Sequence, residues 1–500
     1  MALFRLSCFL LAATFAVSCD CDHPDWVEKL PGWNQPLPSR WYSGFLEYEF
    51  HGRQVRTHYT LVEAEDDPHD EKPLIYWSNG GPGASSLFGL LTEVGPLLFS
   101  DLSLQTDDYR KTGIPTPLYN SNTWTRLGSI LIFDQPAPVG FSYCNDEPDS
   151  HSCGGLSWTD ELTSENAYTA LRTFYDKFPC YQPKPLYLTG ESYGGIYIPM
   201  LARRVLEDSS IDLKGFAVGD GCLGTETSIC GMLSPENGDD FVDIWEVIFL
   251  AGHGQIPLQT LREIMRECRG ANEGGNLRLD SSPLCQEAVA KMEQQKGGVY
   301  DYSLYDECTY SNGLLEGALN DYPCGGDLVM ESYLSMQVVK DALHVPEASF
   351  FSVDNAEGDF DYTPTEKDLT GFYKDIQGQT KVLIYNGDTD PAITSFAAQN
   401  WTSHLGFEEV EGWRPWTVDG CRRMGGYVTR YEGDFDFLTI RGAGHMVPTF
   451  KGDATFTFLS AWLGGTEYPA YDKDCAAPSS TEIEPSGPLM ADSRRRLGTP

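Results

Sequence analysis

Several stretches of the chain are apolar at consecutive positions. They are Leu74-Ile75-Tyr76-Trp77, Ile130-Leu131-Ile132-Phe133, Pro185-Leu186-Tyr187-Leu188-Thr189, Phe216-Ala217-Val218, Lys381-Val382-Leu383-Ile384-Tyr385 and Phe437-Leu438-Thr439-Ile440. Short unbroken runs of this kind predict buried strands. Between them the period changes to that of a helix. Ala167, Leu171 and Phe174 recur at helical spacing within Glu161 to Phe178, with Thr163 or Ser164 as the expected cap. Ile196 to Leu206 reads as a helix with Pro199 in its first turn, and Ala454 to Leu463 as a closing helix. Gly44 to Ala64 alternates in part around His51-Gly52, which predicts an antiparallel pair. Strands alternating with helices, each strand running into a Gly-containing loop, argue for an α/β fold with a mostly parallel central sheet. In such sheets the ligand site lies beyond the carboxyl ends of the strands.

The stretch from Cys222 to about Leu343 departs from this rhythm. It holds helical patches (Trp245 to Leu250, Leu258 to Cys268, Gln286 to Gln294) and cysteines at 222, 230, 268, 285, 308 and 324. It reads as a mainly helical, disulfide-stapled insertion over the ligand end of the sheet. The expected organisation is a signal peptide at 1–18, the core in two parts at 19–221 and 344–475, the insertion at 222–343, and a Pro/Ser/Glu-rich disordered tail at 476–500. Arg5, the apolar run Leu6 to Val17 and the small residues before Cys19 carry the signal-peptide reading. That run is too short to span a membrane comfortably.

Charge and cysteine content narrow the function classes. The 500 residues carry a net charge of −38, which disfavours nucleic acid and anionic membrane surfaces as partners. None of the 14 cysteines forms a Cys-x-x-Cys pair, so disulfides in an oxidising compartment are expected rather than a zinc or redox site. Asn400-Trp401-Thr402 is a glycosylation acceptor consistent with the secretory pathway. No Gly-x-x-x-x-Gly-Lys-Ser/Thr phosphate loop occurs. His344-Val345-Pro346-Glu347 lacks a second histidine at ligand spacing, so no metal and no cofactor are expected.

The chemistry centres on Gly190-Glu191-Ser192-Tyr193-Gly194-Gly195. Strand, sharp Gly-lined turn and helix are the context of a nucleophile elbow, with Ser192 as nucleophile. Serine needs a base to take its proton, and that base needs an orienting partner. Asp390 and His445 each follow a strand end, and the order Ser, Asp, His is that of the α/β-hydrolases. Backbone N–H groups for an oxyanion come from Tyr193 and from the glycine loop after an early strand, where Gly81 fits.

Trp77-Ser78-Asn79-Gly80-Gly81-Pro82-Gly83, the elbow, Gly387-Asp388-Thr389-Asp390 and Gly442-Ala443-Gly444-His445-Met446-Val447-Pro448 resemble the serine carboxypeptidases of lysosomes, vacuoles and secretions. So do Asp134-Gln135-Pro136, Gly140-Phe141-Ser142-Tyr143 and Leu30-Pro31-Gly32. The likeness spans about 30 to 465. It implies an α/β-hydrolase fold with a helical insertion and removal of C-terminal residues from peptides and proteins at acid pH. It points to Asp390, not Asp388, as the triad acid, and to Gly81 and Tyr193 as the oxyanion hole. It also implies that Trp77, Asn79, Gly80, Glu93 and Glu191 bind the substrate's terminal carboxylate, and that Met446 lines the leaving-residue pocket. Two close acids cannot both ionise cheaply, so a protonated pair can donate to a carboxylate that an ionised pair would repel.

Three positions depart from the family pattern. Ala84 stands where a cysteine usually links this loop to the insertion, which leaves a partner such as Cys324 to pair otherwise or stay free. Ser78 replaces an apolar residue, and Asp220 replaces an asparagine. Neither of the latter two is expected to touch the triad, although the charge of Asp220 lies near the site. Other readings are an acyltransferase on the same triad, disfavoured by Glu191 where such relatives tend to carry Asp, and a non-catalytic secreted binding or protective protein. The expected location is the secretory pathway, ending either secreted or in a lysosome or vacuole. A homodimer remains an open assembly state.

Overall fold

The structure, a computed structural model, describes residues 23–66, 71–150, 152–227, 229–230, 241–269, 277–297, 302–305, 326–351, 353 and 360–475. The expected signal peptide (1–18), the tail (476–500), Cys308 and Cys324 lie outside the described residues.

A 12-stranded sheet runs through the molecule. In chain order its strands are β1 (Trp26–Val27), β2 (Trp41–Phe50), β3 (Arg53–Val62), β4 (Leu74–Ser78), β5 (Ser129–Phe133), β6 (Tyr143–Cys144), β7 (Leu186–Glu191), β8 (Leu213–Gly219), β9 (Lys381–Gly387), β10 (Glu409–Thr417), β11 (Met424–Tyr431) and β12 (Phe435–Ile440). The spatial order is β1-β2-β3-β5-β4-β7-β8-β9-β12-β11-β10, with β6 pairing β3. Strands β5, β4, β7, β8, β9 and β12 pair in parallel, each with its neighbour. The hairpins at the two flanks are antiparallel. The expected parallel centre is present, within a mixed sheet. His51 and Gly52 both take positive φ between β2 and β3, as the expected hairpin turn requires.

The consecutive apolar runs are explained by helices on both faces. Leu74, Tyr76, Leu131 and Phe133 join one buried cluster, which also takes in Leu171 and Phe174 of helix α1 (Asp160–Lys177) and Ile198 and Leu201 of α2 (Gly194–Leu206). Ile75, Trp77, Ile130 and Ile132 face the opposite cluster, with Phe458, Leu459 and Trp462 of the C-terminal helix Gly452–Gly464. Side chains alternate faces along a strand, so a strand covered on both sides reads as a nearly continuous apolar run.

Two helix limits differ from expectation. α1 is capped by Thr159, whose Oγ1 accepts from Leu162 N, because its first turns carry buried polar residues (Thr163, Ser164, Asn166) that an apolar period does not reveal. α2 starts at Gly194, so Pro199 sits inside it, past the first turn.

Part of the insertion is visible as helices Ile244–Gly252, Leu258–Glu267, Pro283–Lys296, Gly326–Leu334 and Gln337–Ala342. Disulfides Cys222–Cys230 and Cys268–Cys285 staple it, and Cys144–Cys153 and Cys421–Cys475 lie in the core. Among the described residues, no helix is long and apolar enough to cross a membrane.

Candidate active site

Strand β7 stops at Glu191 and helix α2 begins at Gly194, so the chain reverses over two residues. Ser192 takes φ +59, a left-handed conformation that costs a non-glycine residue roughly 1–2 kcal/mol. Three main-chain bonds hold it there: Ser192 N to Gly219 O (3.0 Å), Gly195 N to Ser192 O (2.9 Å) and Cys222 N to Ser192 O (2.9 Å). Flanking glycines are required by close approach. A Cβ on Gly190 would lie 2.6 Å from Ser78 O, and one on Gly195 2.3 Å from Cys222 O. Ser192 is half-buried between the fully buried Glu191 and Tyr193.

Asp390 lies just beyond β9 and His445 just beyond β12, and these strands are neighbours. Asp390 is fully buried, and its Oδ2 lies 2.7 Å from His445 Nδ1 while its Oδ1 accepts from Ala392 N at 2.8 Å. Asp388 has another task, accepting from Gly442 N at 2.6 Å. The insertion reaches this corner. His445 N donates to Tyr302 O at 2.8 Å, the two rings lie 5.0 Å apart, and Leu304 N donates to Thr389 O at 2.9 Å. The elbow, Asp390 and His445 thus sit at the carboxyl ends of parallel strands in the centre of one mixed sheet, with Ser192 after β7.

The glycine loop after β4 packs against the elbow. A Cβ on Gly80 would lie 2.3 Å from Tyr193 N, and Gly81 takes φ +105. Behind it stands an amide with every hydrogen-bonding capacity used. Asn79 Oδ1 accepts from Trp77 Nε1 (2.8 Å) and Gly89 N (2.9 Å), while its Nδ2 donates to Glu93 Oε1 (3.2 Å) and Glu191 Oε1 (3.0 Å). Trp77 therefore orients Asn79, and Asn79 holds two acids side by side. Glu93 rides on a π-helical turn, Leu90–Val94, an element frequent at functional sites. Both acids are buried, and no donor among the described residues reaches either Oε2. A proton held between them resolves that. Burial first, then mutual repulsion, keeps Glu191 well above the usual carboxylate range, and burial pushes Glu93 up to about 7.

Asp220 lies closer to the site than expected. It is fully buried at φ +40, and its carboxyl lies against that of Asp390. The expectation that it stays clear of the triad is corrected: the positive φ in a turn between two glycines aims the side chain under the β9 loop, which a linear sequence does not reveal. Met446 is nearly buried beside His445. Asn400 is half-buried on helix Ser395–Ser403, and the hydroxyl of Thr402, two residues on in the same acceptor motif, is turned back onto Ala398 O.

Two clusters were not foreseen. Asp160 is buried and accepts from Tyr193 Oη (2.7 Å), Tyr362 Oη (2.6 Å) and Glu366 N (2.6 Å), tying the residue after Ser192 to α1. Its signal is an acid directly behind a Thr cap. Ser43, His58 and Asp134 form a second Ser-His-Asp line, with Ser43 Oγ 3.0 Å from His58 Nε2 and His58 Nδ1 2.9 Å from Asp134 Oδ2. All three are fully buried and Ser43 donates to Leu343 O, so this line pins β2 and β3 to the turn after helix Gln337–Ala342. Among the described residues, no group of three or more His, Cys, Asp or Glu could hold a metal ion.

Residues 31–465 match the family model described as serine carboxypeptidase. Among characterised proteins, the chain is 31% identical to the lysosomal protective protein of Mus musculus, over 89% of this chain and 94% of that one. It is 27% identical to serine carboxypeptidase 1 of Hordeum vulgare, over 88% and 93%. Among solved structures it resembles Kex1(Δ)p, a prohormone-processing carboxypeptidase from Saccharomyces cerevisiae. The TM-score is 0.60 and the identity 17%, covering 85% of this chain and 92% of that one.

Proposed function

The chain belongs to the serine carboxypeptidase family, and from that premise we propose that it removes C-terminal residues from peptides and proteins at acid pH through an acyl-enzyme on Ser192. The observation that carries this reading is the pair of buried acids, Glu93 and Glu191, held by one asparagine beside the elbow. An esterase has no need of it. An exopeptidase must recognise a free carboxylate.

When both acids carry protons, one proton links the pair and the other is donated to the substrate's terminal carboxylate, together with the Gly80 N–H. The scissile carbonyl then lies over Ser192. Ser192 Oγ attacks the carbonyl carbon as its proton passes to His445 Nε2, and Asp390 holds Nδ1–H and stabilises the imidazolium. The oxyanion is received by the N–H groups of Gly81 and Tyr193. His445 returns the proton to the leaving amine, the C–N bond breaks, and the terminal residue departs past Met446. Water, deprotonated by the same imidazole, releases the acyl group. An acidic, oxidising compartment of the secretory pathway fits this scheme, with a glycan on Asn400.

The test is kcat/KM against pH for a blocked dipeptide with a free C-terminus, beside the same dipeptide amidated. Above about pH 7 one acid of the pair ionises. The second proton is then gone, and a negative charge faces the substrate. The free acid is expected to lose kcat/KM at least tenfold more than the amide between about pH 5 and pH 8, chiefly through KM. Parallel profiles would sink the clamp. Gly80→Ala pushes a methyl group into Tyr193 N and is expected to lower kcat on both substrates by about 10²–10³-fold.

A further inference from the structure

The Asp220 carboxyl touches the acid of the triad, and nothing in the mechanism above uses it. Asp220 Oδ1 accepts from Asn386 Nδ2 at 3.1 Å and Gly387 N at 3.0 Å, and Oδ2 shares the Gly387 N–H at 3.1 Å. Asn386 is itself locked by a second bond from Nδ2 to Ile393 O at 3.2 Å. The main chain leaves little freedom. Asp220 N donates to Tyr385 O at 2.9 Å, a Cβ on Gly219 would lie 2.5 Å from the Tyr385 ring, and one on Gly221 2.0 Å from Val218. The same loop supports the nucleophile through Gly219 O and Cys222 N. The ionisable groups that face Asp220 are Asp390 in direct contact, Glu191 at the end of β7, and the buried phenol of Tyr385.

Two carboxyls in contact at zero exposure cannot both be charged, so one of them holds a proton. Each carboxyl accepts two N–H donors, Asp390 from His445 Nδ1 and Ala392 N, and Asp220 from Asn386 Nδ2 and Gly387 N. In the proposed mechanism, however, the His445 donor becomes an imidazolium in every turnover, which favours the charge on Asp390. The proton therefore resides on Asp220, and its hydrogen bond runs to Asp390. We propose that Asp220 is a positioning residue: as a neutral acid it donates to the Asp390 carboxylate and fixes it against His445 Nδ1, and loss of that proton sets an alkaline limit on catalysis independent of substrate-carboxylate binding. Burial, then the charge of Asp390, holds Asp220 well above the usual carboxylate range, in keeping with this assignment.

The proposal rests on the triad reading, and the test separates the two. The substrate is an N-blocked amino acid ester, which has no terminal carboxylate for Glu93 and Glu191 to bind. Wild type, Ser192→Ala, Asp220→Asn and Asp220→Ala are followed from about pH 4 to pH 9, with the rates of the three proteins that keep Ser192 normalised to active sites titrated by a fluorophosphonate and those of Ser192→Ala to protein concentration. An asparagine donates its N–H to Asp390 at every pH. Asp220→Asn is therefore expected to extend the alkaline limb by at least about one pH unit with KM unchanged. Asp220→Ala is expected to lower kcat about 10- to 100-fold, also with KM unchanged, which is the loss of a hydrogen bond to a charged group. Superimposable profiles for wild type and Asp220→Asn, or an Asp220→Ala loss that appears in KM, overturn the proposal while the triad stands. Failure of wild type to hydrolyse the ester, or equal hydrolysis by Ser192→Ala, overturns both.

Discussion

Ser192→Ala is expected to lower kcat on a blocked dipeptide by about a millionfold, His445→Ala by as much, and Asp390→Ala by only about ten-thousandfold. The asymmetry follows from what each group does in the proposed mechanism. Without Ser192 no acyl-enzyme forms, and without His445 its proton has no acceptor. Without Asp390 the imidazole remains packed against the Tyr302 ring, and the His445 main-chain N–H still donates to Tyr302 O, but the imidazole tautomer is no longer fixed. The three act as a unit, so Ser192→Ala combined with His445→Ala should be no worse than either alone. A residual rate remains from Gly81, Tyr193 and the acid pair, which still bind and polarise the substrate. Alanine keeps the left-handed turn at 192 and its three main-chain bonds, so folding should be unaffected and the loss should lie in kcat. The measurement is single-turnover hydrolysis at known protein concentration, with folding of each variant checked by its melting midpoint. A loss of less than a hundredfold for Ser192→Ala would remove the serine from the mechanism.

How much of this was legible depended on whether a feature is local in the chain. The elbow was, because strand, glycine and helix signals adjoin within a dozen residues and close approach forces the glycines. The parallel centre was, because burial on both faces leaves unbroken apolar runs at 74–77 in β4, 130–133 in β5 and 186–188 in β7. The flanking strands β10 and β11 were not singled out. β10 is largely exposed, so no apolar pattern marks it. The start of α1 was displaced because Thr163, Ser164 and Asn166 are buried polar residues, two of them bonded across the fold: Asn166 to Tyr48, Ser164 to Arg204. The site residues split in the same way. The order of Ser192, Asp390 and His445 was visible, and the pairing of Glu93 with Glu191 was visible only through a family likeness, since they lie 98 positions apart and meet through Asn79. The contact of Asp220 with Asp390 depends on a single positive φ, and no spacing rule encodes that.

Wild-type protein is expected to be less stable at about pH 8 than at about pH 5, and Glu93→Gln is expected to remove a large share of that loss. In the unfolded chain Glu93 ionises near its ordinary value of 4.5, whereas in the folded protein burial pushes it up to about 7. Between these values the folded state keeps a proton that the unfolded state has lost. Stability must therefore fall as pH rises, beginning near pH 4.5 and levelling off above pH 7. A gap of about 2.5 pH units corresponds to about 3 kcal/mol for this one group. Glu191 and Asp220, both held well above the usual range by burial, act with the same sign, and Asp243, pushed up to about 6 by burial, adds to them. Glutamine at position 93 keeps an oxygen to accept from Asn79 and an N–H to give to Glu191, so the packing of the site is retained while the titration is removed. Apparent melting midpoints of wild type and Glu93→Gln, followed across this pH range at constant ionic strength, read the difference directly. The wild-type midpoint should fall more steeply than that of the variant. Equal slopes would mean that Glu93 ionises alike in the folded and unfolded chain, and the two-proton clamp would lose its physical basis. A steeper wild-type slope would mean that the acid pair proposed to recognise a C-terminal carboxylate also tunes the fold to low pH.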